Sequence, residues 1–153
     1  MSWLSSRQLV NKIRRNAHEK TWRAFYGVYP IDNLPKFIPH LPIFIIVNTD
    51  THNLPGTHWK CIFIGEDRRG EIFDSLAQPI SDMLVRWMNR FTRKWKTNHK
   101  CYQRSSSSTC GAFVLYFILS RLAAPSLETV TKVMKHSLYD NECFVRSFYH
   151  SLK

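Results

Sequence analysis

Two periodicities alternate along the chain and divide it into elements. Leu9, Val10, Ile13 and Ala17 recur at helical spacing with Lys12, Arg14 and Arg15 between them, which predicts a short amphipathic helix over 5–19. Residues 25–42 contain Pro30, Pro35, Pro39 and Pro42 and read as loop with short extended pieces. Ile43-Phe44-Ile45-Ile46-Val47 is an unbroken β-favouring run between Pro42 and Asn48, the pattern of a strand buried on both faces. Turn chemistry follows over 49–57, with Asp50, Asn53, Pro55 and Gly56. His58 to Ile64 reads as the next strand, 66–70 as a charged turn and 71–74 as a short third strand. Nothing helical fits between these three, so an antiparallel meander is expected.

From Pro79 the period changes. Ile80, Met83, Leu84, Trp87, Met88, Phe91 and Trp95 follow i, i+3, i+4 spacing and predict a long helix, its Met/Trp stripe packed into the core. Arg86, Arg90, Arg93, Lys94 and Lys96 then occupy its other faces and its end. Residues 100–103 read as a fourth strand. The apolar segment after Cys110 runs to Ala124 and stops at Pro125. It is long for a strand and too short to span a bilayer. A helix apolar on nearly every face belongs in the middle of a domain. Ser126 opens another helix, with Leu127, Val130, Val133, Met134 and Leu138 inward. A last helix from about Asn141 carries Phe144, Phe148 and Leu152. The order of helix, strands, helix, strand and helices is that of an α+β fold. At 153 residues the chain fits a single domain, 1–153, with no internal repeat.

Composition narrows the class. Hydrophobic content of 44% and aromatic content of 14% argue against disorder. The net charge of +11, from 22 Lys+Arg against 11 Asp+Glu, favours polyanionic partners, nucleic acid ahead of acidic membrane. The plain alternative is a soluble basic surface. Cys61, Cys101, Cys110 and Cys143 form no Cys-x-x-Cys pair, so no zinc site is expected, and they are too few for a disulfide framework. The opening Met-Ser-Trp-Leu-Ser-Ser-Arg lacks a secretion signature, which points to a reducing compartment, cytosol or nucleus.

One cysteine stands out by position. Cys110 lies where the polar run 103–109 becomes apolar. Ser108 or Thr109 can cap the helix that starts there. In the first turn, unpaired N–H groups and the helix dipole favour an anion, which lowers a thiol pKa. A lone cysteine is otherwise a small buried hydrophobe. A cysteine nucleophile needs a base and a partner that orients it. His58 opens a strand and Asp74 closes the next one in the meander, so strand ends on one side of the sheet bring them together. Gln103 lies seven positions before Cys110. Its amide N–H, with the Cys110 backbone N–H, would form an oxyanion hole. Each residue alone is unremarkable in kind; the four in this order are a specific signal.

The residues that carry this signal resemble the adenovirus endopeptidase (adenain) family. The matching motifs are Ile46-Val47-Asn48-Thr49 followed by Gly56-x-His58-Trp59, then Phe73-Asp74, then Gln103-x6-Cys110-Gly111-x-Phe113. Phe25-Tyr26-Gly27-Val28-Tyr29 and the aromatic segment from Phe144 to Leu152 also align. The ubiquitin-like-protein proteases share the same His-Trp, Asp, Gln and Cys-Gly logic, with a Gln-to-Cys gap typically one residue shorter. The resemblance implies a papain-like cysteine protease of the adenain type, with a small mixed or antiparallel sheet packed against a buried helix that starts at the nucleophile. It implies cleavage of viral capsid and core precursors at Gly-containing sites, in virions or infected-cell nuclei. Cys110 is then the nucleophile, His58 the general base, Asp74 its orienting partner and Gln103 the oxyanion donor. Asp74 stands where adenovirus enzymes often have Glu. No cofactor is implied for the chemistry. Activation by DNA and by a disulfide-linked viral peptide is implied, although Cys101, two residues before Gln103, is not at the matching place. Arg86, Arg90, Arg93 and Lys94 are the candidate contacts to double-stranded DNA, and a monomer acting away from membranes is expected. The rival readings are an isopeptidase acting on ubiquitin-like modifiers and a basic nucleic-acid-binding module without chemistry.

Overall fold

The computed structural model describes residues 1–49, 58–135 and 137–153. The turn expected over 49–57 lies, from Asp50 on, outside the described residues. Helix α1, Ser6–Asn16, starts at a capping box in which Ser5 and Gln8 satisfy each other's backbone N–H groups. A second short helix, α2 (Glu19–Ala24), was not legible in the pattern and leads directly into strand β1, Phe25–Pro30. That strand is one of the extended pieces expected within the loop over 25–42, and here it is a paired strand. Its side chains are only partly buried, and Gly27 and Pro30 hide the strand signal, but it pairs parallel with β2 (Ile43–Asn48) as an edge strand.

The expected meander is present. Strands β2, β3 (Trp59–Ile64) and β4 (Arg69–Phe73) pair antiparallel in sequence order, with Ile46 opposite Cys61 and Cys61 opposite Phe73. A fifth strand, β5 (Lys94–Thr97), joins β4 in parallel, which makes one mixed sheet in the order β1-β2-β3-β4-β5. This strand replaces the last turns of the long helix expected from Ile80 to Trp95. Helix α3 spans only Asp82–Phe91 and stops at the extended Thr92. There the Arg93 N–H bonds to the Arg68 carbonyl, and Lys94-Trp95-Lys96-Thr97 alternates along β4. Gly70 admits this packing: a Cβ there would lie 2.7 Å from both Met88 and Thr92 side chains and 3.2 Å from Trp95. Arg93 and Lys94 therefore do not share a helix face with Arg86 and Arg90. The strand expected over 100–103 is irregular chain instead, because its backbone N–H groups at Tyr102 and Gln103 bond to the Ser75 carbonyl.

Each face of the sheet has its own core. Phe44, Ile46, Cys61, Phe63 and Phe73 face the helix α4, Cys110–Arg121, together with Leu9 and Ile13 of α1. Ile43, Ile45, Val47, Ile62, Ile64 and Ile72 face Leu84, Trp87 and Met88 of α3. The sheet is thus covered on both sides, which explains why its central strands read as unbroken apolar runs. Helix α4 is buried over most of its length, as expected, and stacks Phe117 on Phe73 at 4.9 Å. Its end is tied to the sheet by Arg121, which forks onto Glu71 at 2.7 and 2.9 Å. The helix from Ser126 is shorter than expected: α5 is Leu127–Thr131, and Val133 and Leu138 are exposed. The last helix, α6, runs from Leu138 to Ser151, beginning before Asn141. Among the described residues, no helix is long and apolar enough to cross a membrane.

Candidate active site

The ends of β3 and β4 that lie on one side of the sheet bring His58 and Asp74 together. His58 Nε2 lies 2.6 Å from Asp74 Oδ1, and both side chains are buried. Antiparallel pairing makes this contact: Cys61 opposes Phe73, so the residue before β3 and the residue after β4 meet at the same edge. Asp74 is heavily satisfied. Its Oδ1 also accepts from the Leu76 N–H at 2.9 Å, and Oδ2 accepts from the Gln78 N–H at 3.0 Å and the Lys60 ammonium at 3.1 Å. The Asn98 amide clamps its backbone from both sides, accepting from the Asp74 N–H at 2.8 Å and donating to its carbonyl at 2.7 Å. Burial alone would push this carboxyl up; the His58 hydrogen bond, the Lys60 ammonium and the Leu76 N–H outweigh it and hold it at about 2. A folded value below the ordinary 3.8 means that the carboxylate stabilises the fold above that pH and loses its contribution as pH falls toward 2.

With Nε2 engaged by Asp74, the other ring nitrogen is left for chemistry. His58 Nδ1 is buried and, among the described residues, has no hydrogen-bond partner. An Nε2–H donated to the carboxylate fixes the tautomer in which Nδ1 carries the lone pair. Cys110 is the first residue of α4 and is fully buried. The backbone N–H groups of Trp59, Gly111 and Cys110 itself bond toward its sulfur, so the thiol sits against the residue that follows His58. Thr109 is the N-cap, as expected, but its side chain does not cap; its hydroxyl bonds to Ser107 Oγ at 2.7 Å. The thiol pKa is also corrected. Burial pushes it up to about 11 and the nearby Asp74 charge adds to this, while the Trp59 N–H and the helix-start N–H groups of Gly111 and Cys110 offset only part. Burial thus works against the thiolate expected from the helix start alone.

Gln103 reaches the same place from the chain before α4. It is buried, its Oε1 accepts from Ser75 Oγ at 2.5 Å, and its Nε2 donates to the Ser107 carbonyl at 2.8 Å. Among the described residues one Nε2 hydrogen remains, and an amide held at both ends is a rigid donor. Ser75 and Asn98, which hold Gln103 and Asp74, are residues that no motif singled out; so is Lys60. The only signal for Lys60 was a charge inside an otherwise apolar strand. The Trp59 indole N–H donates to the Leu4 carbonyl at 3.0 Å, and Leu4 packs so closely on Gly111 that a Cβ there would meet it at 2.9 Å. The four expected catalytic residues thus gather at one end of the sheet, while Arg86, Arg90, Arg93 and Lys94 are exposed elsewhere, on α3 and at the start of β5. Among the described residues, no group of His, Cys, Asp and Glu could hold a metal ion.

This arrangement can deprotonate a thiol and bind an oxyanion. Over 92 residues the chain is 33% identical to the cysteine protease S273R of African swine fever virus, a match covering 50% of this chain and 33% of the relative. The crystal structure of the African swine fever virus pS273R protease superposes with a TM-score of 0.67 at 20% identity, covering 94% of this chain and 65% of that one. The central domain of an uncharacterized Lpg1148 protein from Legionella pneumophila superposes with a TM-score of 0.53 at 9% identity, covering 99% of each chain. At these identities the superpositions show a shared fold, and the chain spans one third to two thirds of the length of the viral relatives. Residues 32–138 match the model of the Ulp1 protease family, C-terminal catalytic domain, and the chain belongs to that family of cysteine proteases.

Proposed function

We propose that the protein is a virus-type cysteine endopeptidase that cleaves capsid and core precursor proteins at Gly-containing sites during particle maturation. The observation that carries the reading is the His58–Asp74 pair, Nε2 to Oδ1 at 2.6 Å, with the buried Nδ1 of His58 unpartnered among the described residues and the N–H of the adjacent Trp59 bonded toward the Cys110 sulfur. In this mechanism the neutral Cys110 thiol gives its proton to Nδ1 as the sulfur attacks the scissile carbonyl. The free Gln103 amide hydrogen and the Cys110 N–H stabilise the oxyanion. The imidazolium, steadied by Asp74, returns the proton to the leaving amine, and a water molecule then hydrolyses the thioester by the same route. The chemistry runs on side chains and water. A sulfur as buried as that of Cys110 suits small residues such as glycine beside the scissile bond. A cleavage profile on a peptide library is expected to be dominated by glycine directly before the cut, with an aliphatic residue a few positions upstream. A profile dominated by charged or bulky residues there would overturn the substrate assignment. The family match supports a second reading, an isopeptidase acting on ubiquitin-like modifiers. Parallel assays on ubiquitin-like fusions and Gly-rich viral-type peptides separate the two.

Non-specific binding of double-stranded DNA, and activation by DNA and a viral peptide, belong to the same proposal, with a virion and host-nuclear location. Their support is the +11 charge and where its cations lie. Lys94 lines a groove of about 1320 Å³ with Lys20, Arg23 and Arg69, and Arg90 lines a neighbouring one of about 480 Å³ with Lys36 and Arg68. Both reach His40. The larger groove lies by Gly65 and Gly70, at the end of β3 and β4 opposite His58 and Asp74, roughly 20 Å away at strand rise. With on the order of five phosphate contacts, raising salt from 50 to 200 mM is expected to weaken binding roughly 500-fold. Fluorescence anisotropy across a salt series measures this, with Arg90→Ala and Lys94→Ala reducing the slope by about one each. A salt-insensitive affinity, or no change in either variant, would remove the DNA role and leave the protease.

A further inference from the structure

Lys60 is the one charged residue inside β3, and it is 4% exposed. Burying an ammonium group is unfavourable unless a fixed anion faces it. Here the anion is the carboxylate that holds the catalytic histidine: Lys60 Nζ lies 3.1 Å from Asp74 Oδ2, while His58 Nε2 lies 2.6 Å from Oδ1. His58 immediately precedes β3 and Lys60 is its second residue, two positions on in extended chain, and the two side chains grip one carboxylate by its two oxygens. The strand has apolar residues on both sides of this position, and a methionine of similar length would meet its packing needs. A lysine at this point puts a positive charge one carboxylate away from the His58 ring.

We propose that Lys60 is a positioning residue of the active site: it fixes the Asp74 carboxylate in the orientation that holds His58 and, by its charge, sets the pH range over which the His58–Cys110 pair works. The inference rests on the catalytic roles proposed above for His58, Asp74 and Cys110. Among the described residues, the ionisable groups that act on or through Asp74 are His58, Lys60 and Cys110. Each proton that the His58–Cys110 pair loses removes one positive charge from this cluster, and a fixed cation beside it favours that loss. Taking the Lys60 charge away therefore makes the pair hold its protons to higher pH. Asp74 stays ionised without Lys60, because His58 and the Leu76 and Gln78 N–H groups still face it.

The test compares Lys60→Met and Lys60→Gln, which lose the charge, with Lys60→Arg, which keeps it. The His58 ring is followed by NMR across pH, its signals assigned by their absence in His58→Ala. Both neutral variants are expected to move the His58 titration midpoint to higher pH by about one unit, as for a unit charge several ångströms away in a partly screened site. Lys60→Arg is expected to restore it. The pH–activity profile of kcat/KM is expected to move in the same direction, so that activity on its acid limb falls roughly tenfold. Glutamine can keep a hydrogen bond to Oδ2, so it gives a second neutral variant should methionine fail to fold. The ring titration needs no substrate and stands apart from whether the protein cleaves peptides. An unmoved or lowered midpoint in the neutral variants would overturn the role of Lys60, and so would a Lys60→Arg protein that shifts as they do.

Discussion

Replacing Cys110 by alanine is expected to abolish peptide cleavage while leaving the fold in place. The sulfur is fully buried at the first residue of α4, so its removal leaves a hole of one atom. That costs on the order of 1 kcal/mol, and alanine is the better helix former. The expected result is turnover at background with a melting temperature close to that of the wild type. Cys61 is just as buried but lies within β3, while Cys101 and Cys143 are half-buried and outside the His58–Asp74 cluster. Retained turnover in Cys110→Ala, or loss in a Cys61, Cys101 or Cys143 variant instead, contradicts the assignment.

The second large effect separates catalysis from stability at one hydrogen bond. His58→Ala is expected to lower kcat/KM by at least about 10²–10⁴, the range for loss of a general base. The Cys110 thiol depends on this base more than a helix-start cysteine usually does, because burial holds its pKa near 11. Asp74→Asn is expected to cost less activity per folded molecule, since the ring can still take the proton. Its cost in stability is larger. Asn offers one oxygen where Asp74 offers two, so its NH₂ must face either His58 and Leu76 or Lys60 and Gln78. Removing one member of a buried ion pair costs about 3–5 kcal/mol. Thermal melts beside steady-state kinetics show the division. An Asp74→Asn protein as stable as the wild type, yet less active than His58→Ala, would reverse the roles given to the two residues.

The sequence made the candidate site legible because its residues are anchored by patterns that tertiary packing does not alter. The run Ile43–Val47 and the meander after it needed only period and turn chemistry, and the meander by itself carries His58 to Asp74. The Cys110 helix was legible for the same reason, since an all-apolar segment of that length has few other places to go. What failed were choices that a distant partner makes. Trp95 continues the helical period of Phe91, but the open edge of β4 and the small Gly70 draw Lys94–Thr97 into a strand. That one change moved Arg93 and Lys94 off the face given to Arg86 and Arg90. Residues 100–103 look extended, but the Ser75 carbonyl takes the N–H groups of Tyr102 and Gln103. Lys60, Ser75 and Asn98 carry no motif, and their roles exist only in the hydrogen bonds they make to Asp74 and Gln103. The cysteine pKa went the other way for an energetic reason: a helix start favours the thiolate, and complete burial outweighs it.

The central claim is that Cys110 is a nucleophile made reactive by His58. It is tested most directly by reacting the folded protein with a Gly-terminated peptide electrophile and mapping the adduct by mass spectrometry. The account predicts a single adduct on Cys110 in the wild type, formed at least about 10²-fold more slowly in His58→Ala and absent in Cys110→Ala. An adduct on Cys61, Cys101 or Cys143, or labelling of Cys110 at the same rate without His58, would contradict it.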